Sequence, residues 1–203
     1  MKDISIIILV VAFAVILFLC FYYPNKITGM KNVQDSLSEF TASMQMRTEF
    51  HELNFDLNSK MTGLNASDAL CLERINEGKH LSELVREKPL LIFRYAQITC
   101  RMCYEAELKV LNDVFITNPD LVVILCSNNV IRDFLIYKRS NKIEISIFNI
   151  PNDTFSWIAE ENDSQYFFVL HPDMKISHIF VPNKEYPELS KQYLEGVKRF
   201  LSE

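Results

Sequence analysis

Two cysteines separated by two residues, in the Cys-Arg-Met-Cys segment at residues 100–103, constrain the fold of this chain more than any other feature. An apolar run over residues 90–96 precedes them and predicts a strand, and apolar residues at helical spacing follow over residues 101–116. A cysteine at such a junction meets free backbone N–H groups and the positive end of the helix dipole, which stabilise a thiolate. The pattern therefore predicts an α/β domain that carries a dithiol suited to disulfide exchange.

The composition and the motif content exclude several other classes of protein. The chain has 203 residues and a net charge of −5, with acidic and basic residues mixed along its length. It has no basic run of the kind that binds nucleic acid, and no glycine-rich nucleotide loop or H-E-x-x-H zinc motif. A zinc knuckle needs two further ligands at motif spacing, and none is present. We therefore expect no nucleic-acid partner, no metal and no cofactor beyond the redox-active disulfide itself.

The first residues form a different kind of segment. Residues 4–23 are uncharged and apolar, and about 20 such residues in a helix can span a bilayer. Tyr22 and Tyr23 end the run, where interfacial aromatic residues belong, and Lys26 follows. A cleaved signal peptide would end in small residues, whereas residues 18–21 are mostly bulky. The segment predicts an uncleaved membrane anchor, although the flanking lysines do not decide its orientation.

These features divide the chain into three predicted parts. Residues 1–26 are the anchor, residues 27–69 are a helical stalk or linker, and residues 70–203 are the α/β domain. A helical pattern covers residues 32–59. Two interpretations remain open for it: a stalk that can pair with a second copy, or a helix that packs against the domain.

The domain itself is predicted to alternate strands and helices. Strands are predicted at residues 70–75, 90–96, 121–126, 143–150, 166–170 and 176–181, helices at 82–87, 101–116, 128–137, 154–161 and 187–201, and a turn at 76–79. This order predicts a central sheet that is mostly parallel, ends in an antiparallel hairpin and is flanked by helices. Right-handed crossovers then place the dithiol at the carboxyl edge of the sheet, where α/β sites lie.

Three segments in this order resemble the thioredoxin superfamily. Residues 78–93 are similar to the entry and first core strand of its membrane-anchored TlpA-like thiol–disulfide oxidoreductases. Residues 100–103 match the active-site dithiol, and residues 167–176 are similar to the family's late hairpin. The resemblance implies a thioredoxin-like fold.

The resemblance also implies a mechanism and a location. Cys100 would attack a disulfide of an envelope protein and Cys103 would resolve the mixed disulfide. The partners would be protein thiols or disulfides and a protein that donates or accepts electrons. The location would be the inner membrane of a bacterium, with a single pass through residues 4–23 and the domain in the periplasm.

The chain departs from the family pattern at several positions. Thr99 replaces a tryptophan, and Gln165 replaces a cis-proline and is expected to be trans. Met174 stands where the hairpin turn usually has glycine. Thr99, Gln165, Arg101 and Met102 are the residues predicted to line the substrate groove. The departures leave room for a second hypothesis, a thioredoxin-fold binding module with little turnover. A third, a metal-handling dithiol protein, would recruit a histidine of the late hairpin.

Other residues have competing interpretations. Cys126, at the end of a predicted strand, is either a third redox thiol or a small buried residue, and the second interpretation is favoured, as it is for Cys71. Glu105 and Glu107 follow the dithiol and are either proton relays or, as favoured, part of a solvated helix face. Arg94 lies within the first core strand and has no firm explanation from sequence.

Overall fold

The computed structural model describes residues 2–74, 76–96, 101–128, 131–151, 154–155, 157 and 165–203, with only the backbone described for residues 2–9, 21, 23–29, 96 and 101–103. The chain divides into two compact units, Met1–Phe50 and His51–Glu203. The boundary between these units falls inside the segment 27–69 that was predicted to be a stalk or linker.

A long helix, α1, begins the chain and covers Lys2–Met61, including the helix predicted for residues 32–59. Every residue from 30 to 49 is exposed. The predicted anchor, residues 4–23, falls partly among residues whose side chains are not described. Over the described part of the chain, no helix combines the length and the apolarity needed to cross a membrane.

The described part of the second unit contains seven strands, four further α-helices and a short 3-10 helix at Pro119–Leu121. The strands are β1 (Leu70–Arg74), β2 (Glu77–His80), β3 (Leu90–Ala96), β4 (Val122–Ser127), β5 (Ser146–Asn149), β6 (Tyr166–Leu170) and β7 (Ile176–Phe180). The helices are α2 (Leu81–Leu84), α3 (Arg101–Phe115), α4 (Ile131–Ser140) and α5 (Pro187–Ser202). Most of the helix predicted at 154–161 lies outside the described residues.

The strands form one mixed sheet in the order β2-β1-β5-β4-β3-β6-β7. Strands β3, β4 and β5 are parallel to one another, whereas every other described pairing is antiparallel. The prediction of a mostly parallel sheet was therefore wrong. The late hairpin β6–β7 was expected to be antiparallel, but the early hairpin β1–β2 adds a second antiparallel flank that the apolar pattern did not reveal.

The early hairpin corrects the turn predicted at residues 76–79. Strand β2 covers most of that segment, and the turn is tighter, with Asn76 in the left-handed region at φ 64°. Asparagine tolerates this conformation better than most residues. Gly78 is required here because a Cβ would lie 2.9 Å from the carbonyl oxygen of Cys71 on the paired strand. All four residues of β2 are exposed, so no apolar alternation marks the strand.

The sheet carries a packed layer on each face. On one face, Phe93 of β3 stacks on Phe167 of β6 at 4.5 Å between ring centroids, and Tyr193 of α5 contacts Phe167. On the other face, Ile92 and Phe168 belong to a core cluster that also includes the C-terminal end of α1 and the buried Trp157. The continuous apolar runs of β3 and β6 follow from this arrangement, because both faces of these strands are covered.

The turn of the late hairpin keeps its shape without glycine. Met174 adopts φ 63°, a left-handed conformation that suits glycine. Its N–H donates to the carbonyl oxygen of His171 at 2.9 Å, and the N–H of His171 donates to that of Lys175 at 2.9 Å. The turn therefore differs from the family pattern in having a strained methionine where glycine is usual, while its backbone hydrogen bonds are formed.

Candidate functional site

The predicted dithiol lies where strand β3 gives way to helix α3. The strand ends at Ala96, and α3 begins at Arg101. Cys103 is the third residue of that helix. The side chains of Arg101, Met102 and Cys103 are not described, and Thr99 and Cys100 lie outside the described residues. The strand-to-helix junction was predicted correctly, whereas the positions of the two thiols remain predictions.

The end of β3 also lies at the carboxyl edge of the parallel strands. Tyr95 is in register with Cys126, and Ala96 with Ser127, so β3 and β4 end together. Beyond β4, the side chain of Asn149 accepts from the N–H of Asn128 at 2.7 Å and donates to its carbonyl oxygen at 3.1 Å. These two bonds satisfy backbone groups past the strand end, which holds this edge of the sheet in a defined shape.

Three tyrosines gather on this edge around the first turns of α3. Tyr95 stacks on Tyr104 with 4.6 Å between ring centroids, and Tyr104 meets Tyr137 of α4 edge-on at 5.8 Å. With Asn128 and Asp133 they help line a cavity of about 390 Å³. Tyr104 belongs to the apolar periodicity that predicted the helix at residues 101–116, but that periodicity does not encode the approach of α4 to α3, so the cluster was not foreseen.

Gln165 lies at the same edge, directly before β6. The register pairs Arg94 with Tyr166, so continuing it by one residue places Gln165 opposite Tyr95. Gln165 is only 7% exposed, and its Oε1 has no hydrogen-bond partner among the described residues. No cis peptide bond occurs in the described part of the chain. The bond before Gln165 involves Ser164, which lies outside that part, so its expected trans state stays a prediction.

Cys126 is a buried structural thiol by every described contact. It is fully buried, its Sγ donates to the carbonyl oxygen of Phe148 at 3.5 Å, and it accepts from Asn128 at 3.5 Å. Burial raises the pKa of Cys126 to about 12, although Tyr95, Arg94 and Asn128 act in the opposite direction. A protonated, enclosed thiol is a poor nucleophile, which supports the interpretation that was favoured from sequence.

Cys71 on β1 is in a similar environment. It is fully buried, and its Sγ donates to the carbonyl oxygen of Ala69 at 3.6 Å. Burial, followed by the charge of Asp68, raises the pKa of Cys71 to about 12. The favoured structural interpretation is supported for this thiol as well.

Glu107 corrects the prediction of a solvated face on α3. It is 2% exposed, and burial raises its carboxyl pKa to about 7, with the Ser190 hydroxyl acting to lower it. Oε2 of Glu107 and Oγ of Ser190 have no hydrogen bond of good geometry to any described residue. Glu107 lies four residues after Cys103, one helical turn farther along α3. A carboxyl that titrates near neutral pH can hold or release a proton at this position of the helix.

Among the described residues of the second unit, Arg94 is the other charged residue that is buried. Its side chain is 1% exposed, and Nη1 donates to the carbonyl oxygen of Tyr95 at 2.9 Å. Its positive charge lowers the pKa of Cys126, against the larger effect of burial. Arg94 therefore lies inside strand β3, and its guanidinium bonds the backbone of the same strand.

Comparison with known proteins gives a match in structure alone. No family model and no curated protein matches this sequence. A thiol:disulfide interchange protein from a Bacteroides species aligns with a TM-score of 0.53 at 13% identity, covering 70% of this chain and 91% of that one. The thioredoxin domain of a thiol-disulfide oxidoreductase from Bacteroides vulgatus aligns with a TM-score of 0.51 at 14% identity, covering 69% and 97%.

A variant of PrxQ from Xylella fastidiosa gives a similar result, with a TM-score of 0.52 at 12% identity and coverage of 68% and 96%. These identities are low enough that the similarity concerns the fold. These structural matches, the mixed sheet and the strand-to-helix junction at the cysteine pair lead to one conclusion: the second unit of this chain has a thioredoxin-like fold.

Proposed function

We propose that this protein is a thiol–disulfide oxidoreductase whose reacting groups are Cys100 and Cys103. One observation carries the proposal: the Cys-x-x-Cys segment joins β3 to α3 at the carboxyl edge of a thioredoxin-like sheet. Similar structures include proteins described as a thiol:disulfide interchange protein and a thiol-disulfide oxidoreductase. The buried, high-pKa thiols of Cys71 and Cys126 are unsuited to the same chemistry.

The proposed reaction moves two electrons between a protein disulfide and the dithiol. The Cys100 thiolate attacks one sulfur of the substrate, the substrate S–S bond breaks, and the departing thiolate takes up a proton. The Cys103 thiolate then attacks the sulfur of Cys100, which forms the Cys100–Cys103 disulfide and releases the second substrate thiol. The substrate is reduced and the protein oxidised, and a partner dithiol protein reduces it again. The same steps in reverse oxidise a substrate.

The assignment of Cys100 as nucleophile depends on helix α3. Cys100 immediately precedes the first residue of that helix, where backbone N–H groups have no helical acceptor. The first turn of α3 contains no acidic residue and contains Arg101. We expect the Cys100 thiol to titrate well below the free-thiol pKa of about 8.5 and Cys103 to titrate higher. Alkylation rates measured against pH test this order, and faster alkylation of Cys103 would reverse the assignment.

Reduction of insulin disulfides by the full chain, with dithiothreitol as reductant, tests the function. Wild-type protein should accelerate insulin precipitation, and Cys100→Ser should abolish the acceleration. Cys126→Ala is the matched control, because it removes a thiol that lies in register with the neighbouring strand but is buried. Loss of activity in both variants with intact folding, or no acceleration by the wild-type protein, would count against the proposal.

The proposal includes a location at a bacterial inner membrane, with residues 4–23 as the anchor and the domain in the periplasm. Its support is the uncharged apolar sequence of that segment and the interfacial tyrosines at its end. Carbonate washing of membranes should leave the full-length chain in the pellet. A soluble product that begins near Lys26 would replace the anchor with a signal peptide. Protease added to intact spheroplasts should digest the domain if it is periplasmic.

Gln165 favours a second candidate, a binding module with little turnover. The side chain is buried next to the end of β3, and its Oε1 lacks a partner among the described residues, so a peptide strand that reached this atom would supply the missing donor. Gln165→Pro should change turnover with a protein disulfide more than it changes the free energy of unfolding. Tight binding of a peptide disulfide without turnover by the wild-type chain would favour the binding module instead.

A further inference from the structure

An apolar stripe runs along the exposed part of α1, in the first unit. It consists of Met30, Val33, Leu37, Phe40 and Met44, whose exposed fractions are 67%, 69%, 63%, 62% and 48%. The steps between them are three, four, three and four residues, an average of 3.5. Over these 15 residues the spacing places all five side chains on one side of the helix, as at the seam between two helices that pack along their length.

The stripe is costly for a helix that stands alone in water. Isolated helices are marginally stable, and most helical stability in proteins comes from packing an apolar face. With about 200 Å² for a large apolar side chain, the exposed fractions amount to roughly 600 Å² on one copy. Two such stripes face to face would bury at most about 1,200 Å², which is the lower end of the range of specific, stable interfaces.

The residues beside the stripe place no charge between two identical copies. The positions that flank a helix seam are Gln34, Ser36, Thr41 and Ser43, and all four are uncharged. Charges of one sign at all of these positions would repel those of an identical partner across the seam, and none is present. The ionised residues of this segment, such as Glu39, instead lie away from the seam. A second copy therefore meets no electrostatic barrier.

We propose that α1 binds a second copy of this chain through the stripe, so that the protein is a dimer held by a short two-helix coiled coil over residues 30–44. This inference does not depend on the redox chemistry proposed for the dithiol. It develops one of the two interpretations that the helical pattern of residues 32–59 left open. Residues 51–61 of the same helix fit the other interpretation, a helix that packs against the domain, because Leu57 and Met61 are buried in the core of the second unit.

The chain offers a matched pair of variants for the test. Met44 and Met46 are exposed to nearly the same extent, 48% and 46%, but they lie roughly 200° apart around the helix. The full chain in detergent micelles is measured by size-exclusion chromatography with light scattering at micromolar concentration. Wild-type protein and Met46→Glu should be dimers. Met44→Glu should raise the dissociation constant by about tenfold or more, and Leu37→Glu with Phe40→Glu should give monomers.

Photo-crosslinking in cells gives a second, independent readout. Benzoylphenylalanine in place of Phe40 should yield a product of twice the chain mass, and the same group in place of Met46 should yield none. Circular dichroism confirms that each variant keeps its helix content. A monomeric wild-type chain, equal effects of Met44→Glu and Met46→Glu, or a cross-link from position 40 to a different protein would each overturn the proposal.

Discussion

Helices α1 and α3 bury polar side chains in the second unit in opposite ways. Near the end of α1, two asparagines meet the edge strand β7 with nearly every polar atom paired. On α3, Glu107 is buried beside Ser190, and Oε2 of the carboxyl and the serine hydroxyl lack a well-formed hydrogen bond among the described residues. Buried polar groups that serve only the fold are normally satisfied, and exceptions concentrate near functional sites. The function proposed for the dithiol gives this contrast a reason, because α3 begins within the Cys-x-x-Cys segment.

The asparagine pair completes the sheet. Ile179 and Val181 donate their N–H groups to the Oδ1 atoms of Asn58 at 2.8 Å and of Asn54 at 2.7 Å. The side-chain NH₂ group of Asn58 donates to the carbonyl oxygen of Ile179, and that of Asn54 donates to the carbonyl oxygen of Val181 at 3.3 Å. Four residues of helix rise by about 6 Å and two residues of strand by nearly 7 Å, so the two spacings match. The asparagines thereby occupy backbone groups of β7 and of the residue after it that would otherwise be open to pairing with another chain.

The largest effect is expected from breaking this pairing. Asn58→Ala leaves the N–H and carbonyl groups of the buried Ile179 without those partners, at a cost of about 3 kcal/mol in the free energy of unfolding. Gln45→Ala is the control, because it removes an exposed amide whose partner is Glu49 on the same helix, and it should cost less than about 0.5 kcal/mol. Urea unfolding of the full chain measures both, and equal costs would contradict the role of the asparagines.

Glu107→Gln should have the next largest effect, in the opposite direction. The ordinary carboxyl pKa of 4.5 is raised to about 7 in the folded protein. Between these values the unfolded chain has released the proton and the folded chain retains it, so stability falls as pH rises through this window and stays low above it. Glu107→Gln removes the dependence, and it should gain about 2 kcal/mol over wild type at pH 8 and almost nothing at pH 5.

The control for this prediction is Glu105→Gln, which removes a glutamate from a half-buried position on the same helix. Unfolding free energies measured from pH 4 to pH 8 compare the two variants. A wild-type profile without a decline between pH 4.5 and pH 7, or an equal gain for Glu105→Gln, would show that Glu107 is not the group responsible.

Ser190→Ala should have a smaller effect that depends on the same carboxyl. The hydroxyl acts to lower the pKa of Glu107, so its removal should raise that pKa further. Stability should be nearly unchanged at pH 5, where the carboxyl is protonated, and lower by about 1 kcal/mol at pH 8. In the Glu107→Gln background the pH-dependent part of the loss should disappear. A loss that is the same at both pH values would indicate a simple packing defect.

The smallest effect is expected at the turn between β6 and β7. Met174 has φ 63°, and a glycine adopts this conformation without the cost of about 1 kcal/mol that a side chain imposes. Met174 also packs partly against the core, which Met174→Gly would lose. The net gain should be about 0.5 kcal/mol in thermal or urea unfolding. Met174→Ala keeps the strain and loses most of the packing, so it should destabilise.

Local pattern was sufficient for the elements that carry the dithiol. The apolar run of residues 90–96 matches β3, and residues 166–170 match β6, because strands covered on both faces must be continuously apolar. The helix after the cysteines was likewise predicted within one residue at its end. The exposed strand β2 was mistaken for a turn, because its residues face solvent and have no apolar alternation.

The asparagine pair and Glu107 were not foreseen, for different reasons. The pairing of Asn54 and Asn58 could have been predicted from the sequence. Two asparagines four residues apart are unfavourable inside a helix unless their side chains are bound elsewhere. No comparable sequence signal exists for Glu107. Its neighbours Tyr104 and Leu108 indicated the side of α3 that faces the sheet, and the burial of Glu107 depends on α5, which lies far along the chain and contributes Ser190.

By itself, the sequence determined where the cysteines lie between a strand and a helix, which helical and core segments form, and how the apolar stripe on α1 is spaced. Those properties depend on periodicity and on the backbone preferences of neighbouring residues. Only the tertiary structure decided the antiparallel flank at β1 and β2, the pairing of Asn54 and Asn58 with β7, and the enclosure of Glu107. Each of these requires contact between segments distant in the chain, and the free energy of such contacts depends on which surfaces meet.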